Sequence, residues 1–163
     1  MTSLYSESNL CPVPVIHHTA LCVRDVDASL RFWRDGLGFQ QLMDERFEGD
    51  WPTLLRGPER TLRSVFLGDP EQPTAGIVEL VDLGAVDGPP PGGHRATTGF
   101  LLVSITTPLD ATLARLAELG LGGEPRRIEV HGVAMAVVVD PDGVEVELID
   151  TGAAADLERL TSA

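Results

Sequence analysis

The chain states its plan twice. "DASL" (Asp27 to Leu30) returns as "DATL" (Asp110 to Leu113), and "VELVD" (Val78 to Asp82) returns as "VELID" (Val146 to Asp150). Each pair occupies the same place in a longer pattern. A β-rich segment comes first, "VPVIHHTALCV" in one copy and "FLLVSIT" in the other. An Asp-led helix follows, then three strand-like segments: "LGFQQLMDERF", "LRSVFLG" and "GIVELVDL" against "EPRRIEV", "VAMAVVV" and "VEVELID". A unit of this size is too small to bury a sheet face alone, so two copies must pack together. The predicted fold class is α+β, with two βαβββ modules forming one cupped mixed sheet and the helices outside. The predicted boundaries are a tail over 1–12, a first module over 13–84, a linker over 85–97, a second module over 98–151 and a C-terminal helix or tail over 152–163.

Local signals support both helices. Asp25 is a good N-cap for "VDASLRFWRDG", which stops near Gly36. In the second copy Thr107 is the expected N-cap, Pro108 fits the first helical position and Asp110 completes a capping box. Leu109, Leu113 and Leu116 make the apolar stripe, and Gly120 ends the helix. "EGDWPTLLRGPERT" reads as a polar loop and "GAVDGPPPGGHRATTG" as a linker of partly polyproline character. "DPDG" is a turn joining two strands, and "AAADLERL" suits a peripheral helix.

Composition narrows the partners. Twelve basic residues against 25 acidic ones give a formal charge of −13. That balance disfavours nucleic acid and anionic membrane surfaces and leaves a small-molecule partner. Of the two cysteines, Cys11 and Cys22, the latter lies in an apolar strand pattern and reads as a small buried hydrophobe. The start "MTSLYSESNL" lacks the basic and apolar regions of a signal peptide, and no apolar run approaches a membrane span. The expected location is the cytoplasm.

The stretches "HTALCVRDVDASLRFWRDGLGF" (His18 to Phe39) and "DPDGVEVEL" (Asp140 to Leu148) resemble the vicinal oxygen chelate superfamily, which includes glyoxalase I, extradiol dioxygenases, methylmalonyl-CoA epimerase and fosfomycin- and bleomycin-resistance proteins. The resemblance spans roughly residues 13 to 151. It implies a divalent metal held in the cup by residues from the first and last strands of each module: His18, Glu79 and Glu147. The fourth position, on "TGFLLVSI", falls at Leu101, or at Phe100 or Leu102 with a one-residue slip. None of these binds metal through its side chain, and His94 in the linker is out of register.

The residue chemistry agrees. Two carboxylates inside an apolar cup repel each other and are costly to bury, and a divalent cation removes both penalties. One imidazole with two carboxylates suits Mn²⁺, Fe²⁺, Co²⁺, Ni²⁺ or Zn²⁺, with water or substrate completing the shell. Ile77, Glu79 and Val81 share one strand face, as do Glu145, Glu147 and Ile149, which argues that the acids point inward. The plain alternative is a strand histidine and two solvent-facing glutamates. Glu145 reads as a rim residue, and His17 alternates to the opposite face from His18. Phe47, Trp51, Arg63, Phe66, Phe100 and Met135 are candidate pocket residues, although Arg63 and Phe66 face opposite ways on one strand.

The expected function is a metal-dependent isomerase or lyase that binds adjacent oxygens and stabilises an enolate, with Glu147 as the catalytic base. Two alternatives stand beside it: a metal-free binding or antibiotic-resistance protein, favoured by the missing fourth ligand, and an iron-dependent ring-cleaving dioxygenase, disfavoured by the single histidine of the set. The resemblance also implies a possible homodimer.

Overall fold

The computed structural model describes residues 16–84 and 98–152. The N-terminal tail, Cys11, Val13 to Val15, His94 and "AAADLERL" lie outside the described residues. The first module contains β1 (His18–Cys22), α1 (Val26–Leu30) running into a π-helical stretch (Arg31–Gly36), β2 (Gln40–Glu48), α2 (Trp51–Leu55), β3 (Thr61–Gly68) and β4 (Ile77–Asp82). The second contains β5 (Val103–Thr107), α3 (Leu109–Leu119), β6 (Gly122–Val130), β7 (Val133–Val139) and β8 (Glu145–Asp150). Each module forms a four-stranded sheet, ordered β1-β4-β3-β2 in one and β5-β8-β7-β6 in the other. The first strand runs parallel to the last, and the other pairs are antiparallel. The repeat in the letters is thus a repeat in topology.

Alternation along the strands divides their side chains between two faces. Val65, Leu67, Val78 and Leu80 of one sheet, with Ala136, Val138, Val146 and Leu148 of the other, join Leu30, Phe32, Trp33, Leu109 and Leu116 in one buried cluster. Both modules contribute to that core. The alternate residues, including Phe66, Glu79, Met135 and Glu147, are left on the open face. Residues of β1 and β5 line a slot of about 380 Å³ between the two sheets.

The helices are fixed by polar ends as well as by apolar stripes. Asp25 caps α1 as expected, its Oδ1 accepting from the backbone N–H groups of Asp27 and Ala28 at 2.9 and 3.1 Å. The rest of the expected first helix is π-helical, and Leu37 donates its N–H to the Phe32 carbonyl. This wider turn ends at Gly36, where a β-carbon would stand 2.7 Å from Leu116 Cδ2 of α3. Only glycine admits that approach of the two helices.

Trp33 is fully buried and donates from Nε1 to Asp140 Oδ2 at 3.2 Å. Asp142 accepts from the Arg24 side chain at 3.0 Å and from Ser29 Oγ at 3.3 Å. The "DPDG" turn of the second module is therefore anchored on the helix of the first. Burial pushes the Asp140 carboxyl above its ordinary value, against the bonds it accepts from Val144, Trp33 and Asp142.

Three local expectations need correction. Thr107 is not the cap of α3: the cap position is Pro108, and Thr107 Oγ1 instead pairs with Thr112 Oγ1 at 2.8 Å inside the core. The capping acceptor comes from a distant strand, with Asp150 Oδ1 taking the Leu109 N–H at 3.0 Å. Asp110 is drawn off to Arg127 at 2.6 Å. Cys22 is exposed rather than buried, because it falls on the open-face phase of β1. The expected loop after β2 contains the short helix α2, which has Pro52 in its first turn and stops at Arg56 in the left-handed region.

Candidate functional site

The open face brings two of the three expected ligands together. His18 Nε2 lies 3.2 Å from Glu79 Oε2. The other Glu79 oxygen, Oε1, accepts from Ser64 Oγ at 2.6 Å. Ser64 is almost fully buried, so this bond fixes the carboxylate orientation. Phe66, paired directly with Glu79 across β3 and β4, places its ring 5.7 Å from that of His18. The imidazole therefore has a carboxylate at one nitrogen and an aromatic wall beside it.

His17 contributes where alternation placed it on the face opposite His18. It precedes β1, and its ring turns so that Nδ1 lies 2.9 Å from Nδ1 of His18. Its ring also packs at 6.2 Å from Phe66. One of the two Nδ1 atoms must carry the proton. When His18 is that donor, its Nε2 presents a lone pair toward Glu79, the tautomer a metal requires. No periodicity signal could reveal this role, because the residue lies outside the strand whose period was being read.

Glu147 has a hydrogen-bond partner of its own. Its Oε2 accepts from Ser104 Oγ at 2.8 Å, the residue directly beside it on β5. Among the described residues, no three His, Cys, Asp or Glu side chains form a group that holds a metal ion. Of the expected trio, His18 and Glu79 touch each other, and Glu147 is hydrogen-bonded to Ser104. Register also settles the fourth position. Ala20 stands beside Glu79 and Ser104 beside Glu147, so His18 and Leu102, each two residues earlier, are repeat-related. The equivalent residue is Leu102 rather than Leu101, and it offers no donor.

The pair fits two adjacent corners of a metal shell. Donors each about 2.1 Å from one ion, at right angles, stand about 3.0 Å apart. The His18–Glu79 separation of 3.2 Å is close to that. A single imidazole and a single carboxylate leave at least two positions for water or substrate oxygens.

The remaining pocket candidates divide. Phe66 and Met135 share the open face with Glu79 and Ile149, respectively. Phe47 lies toward the end of β2, partly exposed, and its carbonyl accepts from Trp51 Nε1 at 3.1 Å, which ties α2 to the sheet edge. Phe100 is largely exposed ahead of β5. Arg63 takes the opposite face from Phe66, and its Nε and Nη2 donate to the two Asp44 carboxylate oxygens at 2.8 and 2.7 Å. That fork holds the Asp44 carboxyl below its usual range and removes Arg63 from the open face. The rim reading of Glu145 gains a partner: this buried acid accepts from Arg126 at 2.7 Å.

Comparison with known proteins places these features in a family. The profile of the Glyoxalase/Bleomycin resistance protein/Dioxygenase superfamily matches residues 15–148. The lactoylglutathione lyase-like protein terB of Aspergillus terreus is 34% identical over 149 residues, covering 85% of this chain and 76% of its own. Among solved structures, Leishmania major glyoxalase I superposes with a TM-score of 0.63 at 24% identity, covering 93% of this chain and all of its own. A glyoxalase family protein from Bacillus cereus reaches a TM-score of 0.70 at 14% identity, over 87% of this chain and 97% of its own. The chain belongs to the Glyoxalase/Bleomycin resistance protein/Dioxygenase superfamily.

Proposed function

We propose that this protein is a metal-dependent lyase or isomerase that moves a proton next to a carbonyl of a small substrate with adjacent oxygens. The observation that carries the reading is the division of labour on the open face. His18 and Glu79 form a coordinating edge of 3.2 Å, while Glu147 is held separately by Ser104. A divalent cation on that edge would supply Lewis-acid polarisation of the substrate oxygens. His18 and Glu79 would hold it, Ser64 fixes Glu79, and His17 Nδ1 would accept the His18 Nδ1–H in the metal-binding tautomer.

Glu147 then serves as the general base rather than a third ligand. Ser104 occupies its Oε2, leaving Oε1 unengaged among the described residues. A carboxylate with one oxygen anchored and one open is oriented to accept a proton, and such positioned bases contribute about 10² to 10⁴ in rate. The relative from A. terreus, described as lactoylglutathione lyase-like, makes 2-hydroxy and 2-oxo carbonyl compounds the first substrates to test.

The experiment is deuterium exchange in D₂O, followed by proton NMR on metal-loaded protein with the hemithioacetal of methylglyoxal and glutathione and with simple 2-oxo acids. Exchange beside the carbonyl that drops at least 10²-fold in Glu147→Gln supports the base assignment. Exchange that survives unchanged in that variant refutes it.

A second reading, a metal-free binding protein, draws on Leu102 in the fourth position and on the absence of any three-donor group among the described residues. It predicts no exchange and an unchanged melting temperature with or without EDTA. A homodimer belongs to the first reading, and a solution mass near 17.5 kDa at micromolar concentration would reject it.

A further inference from the structure

We infer that Arg126 is an anion anchor on the open face, and that the substrate carries a carboxylate joined by a short apolar spacer to its reacting end. This rests on the reading that the open face is the substrate site. Arg126 pairs with Val137 across β6 and β7, and Val137 pairs with Glu147 across β7 and β8. The three side chains therefore form one row on the same face. At about 4.8 Å per strand, the Arg126 and Glu147 backbones are about 10 Å apart. Arg126 leans across β7 to reach Glu145, two residues before Glu147, which sets the guanidinium roughly 7 Å along the strand from the Glu147 carboxylate.

The pairing with Glu145 positions Arg126 without consuming it. Glu145 is buried and accepts through one oxygen from one terminal nitrogen, at 2.7 Å. The Arg126 side chain remains 57% exposed. A guanidinium has five N–H donors in a planar fork, so a second carboxylate finds donors already aimed. By contrast, Arg63 has spent its fork on Asp44, and Arg127, next in sequence, takes the other face with Asp110. Among the described strand residues of the open face, Arg126 is the one arginine or lysine, in a chain with a formal charge of −13. Val137 separates it from Glu147, with Met135 and Ile128 alongside, and Ile128 is 58% exposed. That strip suits a few methylene groups between two oxygenated ends.

The test uses the full chain, with 2-oxoadipate as the probe and 2-oxohexanoate as its equal-length control lacking the distal carboxylate. Affinity is read by calorimetry, and the Arg126 side-chain N–H signals by NMR, with and without bound Mn²⁺ or Zn²⁺ (Zn²⁺ for the NMR). The inference predicts that 2-oxoadipate binds at least about tenfold tighter than 2-oxohexanoate, the scale of one charge-assisted bond. The Arg126 N–H signals should shift with 2-oxoadipate only. In Arg126→Gln the preference should fall below about twofold, and Arg126→Lys should restore part of it. The double variant Arg126→Gln/Glu145→Gln, which leaves no buried acid unpaired, should also lose the preference while keeping the wild-type melting temperature.

Equal affinity for the two acids, a preference that persists in Arg126→Gln, or silent Arg126 signals in both metal states would overturn the anchor. If the signals respond in metal-free protein while no metal binds, the anchor stands and the metal-dependent reading falls.

Discussion

Replacing Trp33 with Phe tests the joint that aligns the two modules. Trp33 is fully buried, so the smaller ring leaves a void costing about 1–2 kcal/mol. It also removes one of three N–H donors to the Asp140 carboxylate, at 3.2 Å, leaving those of Asp142 and Val144 at 2.9 and 2.8 Å. A bond to a buried carboxylate adds about 1.5–3 kcal/mol, for a total of about 2.5–5 kcal/mol at pH 7.

The second part depends on charge. Burial already raises the Asp140 pKa above 3.8, so ionising this group costs stability as pH rises through the folded value. Losing the indole donor raises the folded pKa further. The variant's penalty should therefore be largest at neutral pH and shrink toward the void cost alone as Asp140 becomes protonated. Urea denaturation followed by circular dichroism at pH 7 and again at the lowest pH at which the protein stays folded compares the two limits. A penalty that is equal at the two pH values, or below about 1 kcal/mol at pH 7, would refute the role given to this bond.

Three further outcomes are expected. His17→Phe should weaken Zn²⁺ or Mn²⁺ binding by about 10- to 100-fold in calorimetry, with little change in melting temperature, because it frees the His18 tautomer without emptying the core. Gly36→Ala, ordinarily favourable in a helix, should instead cost about 1–3 kcal/mol in thermal unfolding. Leu116 is itself buried in the shared core, so its displaced methyl must push against packed neighbours. Asp44→Asn should cost less than about 1 kcal/mol at pH 7, since the pair with Arg63 is a quarter exposed. The Asp44 pKa is lowered in the fold, so this contribution is present above about pH 4 and should vanish as pH falls through the folded value.

The sequence disclosed the fold through its repetition and alternation. Two copies of one pattern, each with an Asp-led helix and a closing Val-Glu-Leu strand, specify the shared core that the structure builds from Val78, Leu80, Val146 and Leu148. Helix details were less legible, because they depend on partners distant in sequence. Thr107 has the chemistry of a cap, but the Leu109 N–H it would have served goes to Asp150, 41 residues beyond Leu109. The π-helical stretch ends where Gly36 meets Leu116, a contact that no local propensity encodes.

The site was half legible for the same reason. Strand period set Glu79 and Glu147 on the open face, and the family motif added His18. Period says nothing about side-chain partners, so the contact of His18 with Glu79 and the bond of Glu147 to Ser104 emerged only with the structure. The Ser64 and Ser104 donors were invisible because serine in a strand carries no pattern of its own. Arg126 was hidden in "PRRIE", where only register separates it from Arg127.

The central claim is that His18 and Glu79 hold the metal while Glu147 remains free to move a proton. Calorimetric titration of chelator-treated protein with Mn²⁺, comparing wild type with Glu79→Gln and Glu147→Gln, tests it directly. The account predicts that Glu79→Gln weakens binding at least about 100-fold and Glu147→Gln less than about threefold. Equal losses in the two variants, or affinity that neither variant changes, would contradict it.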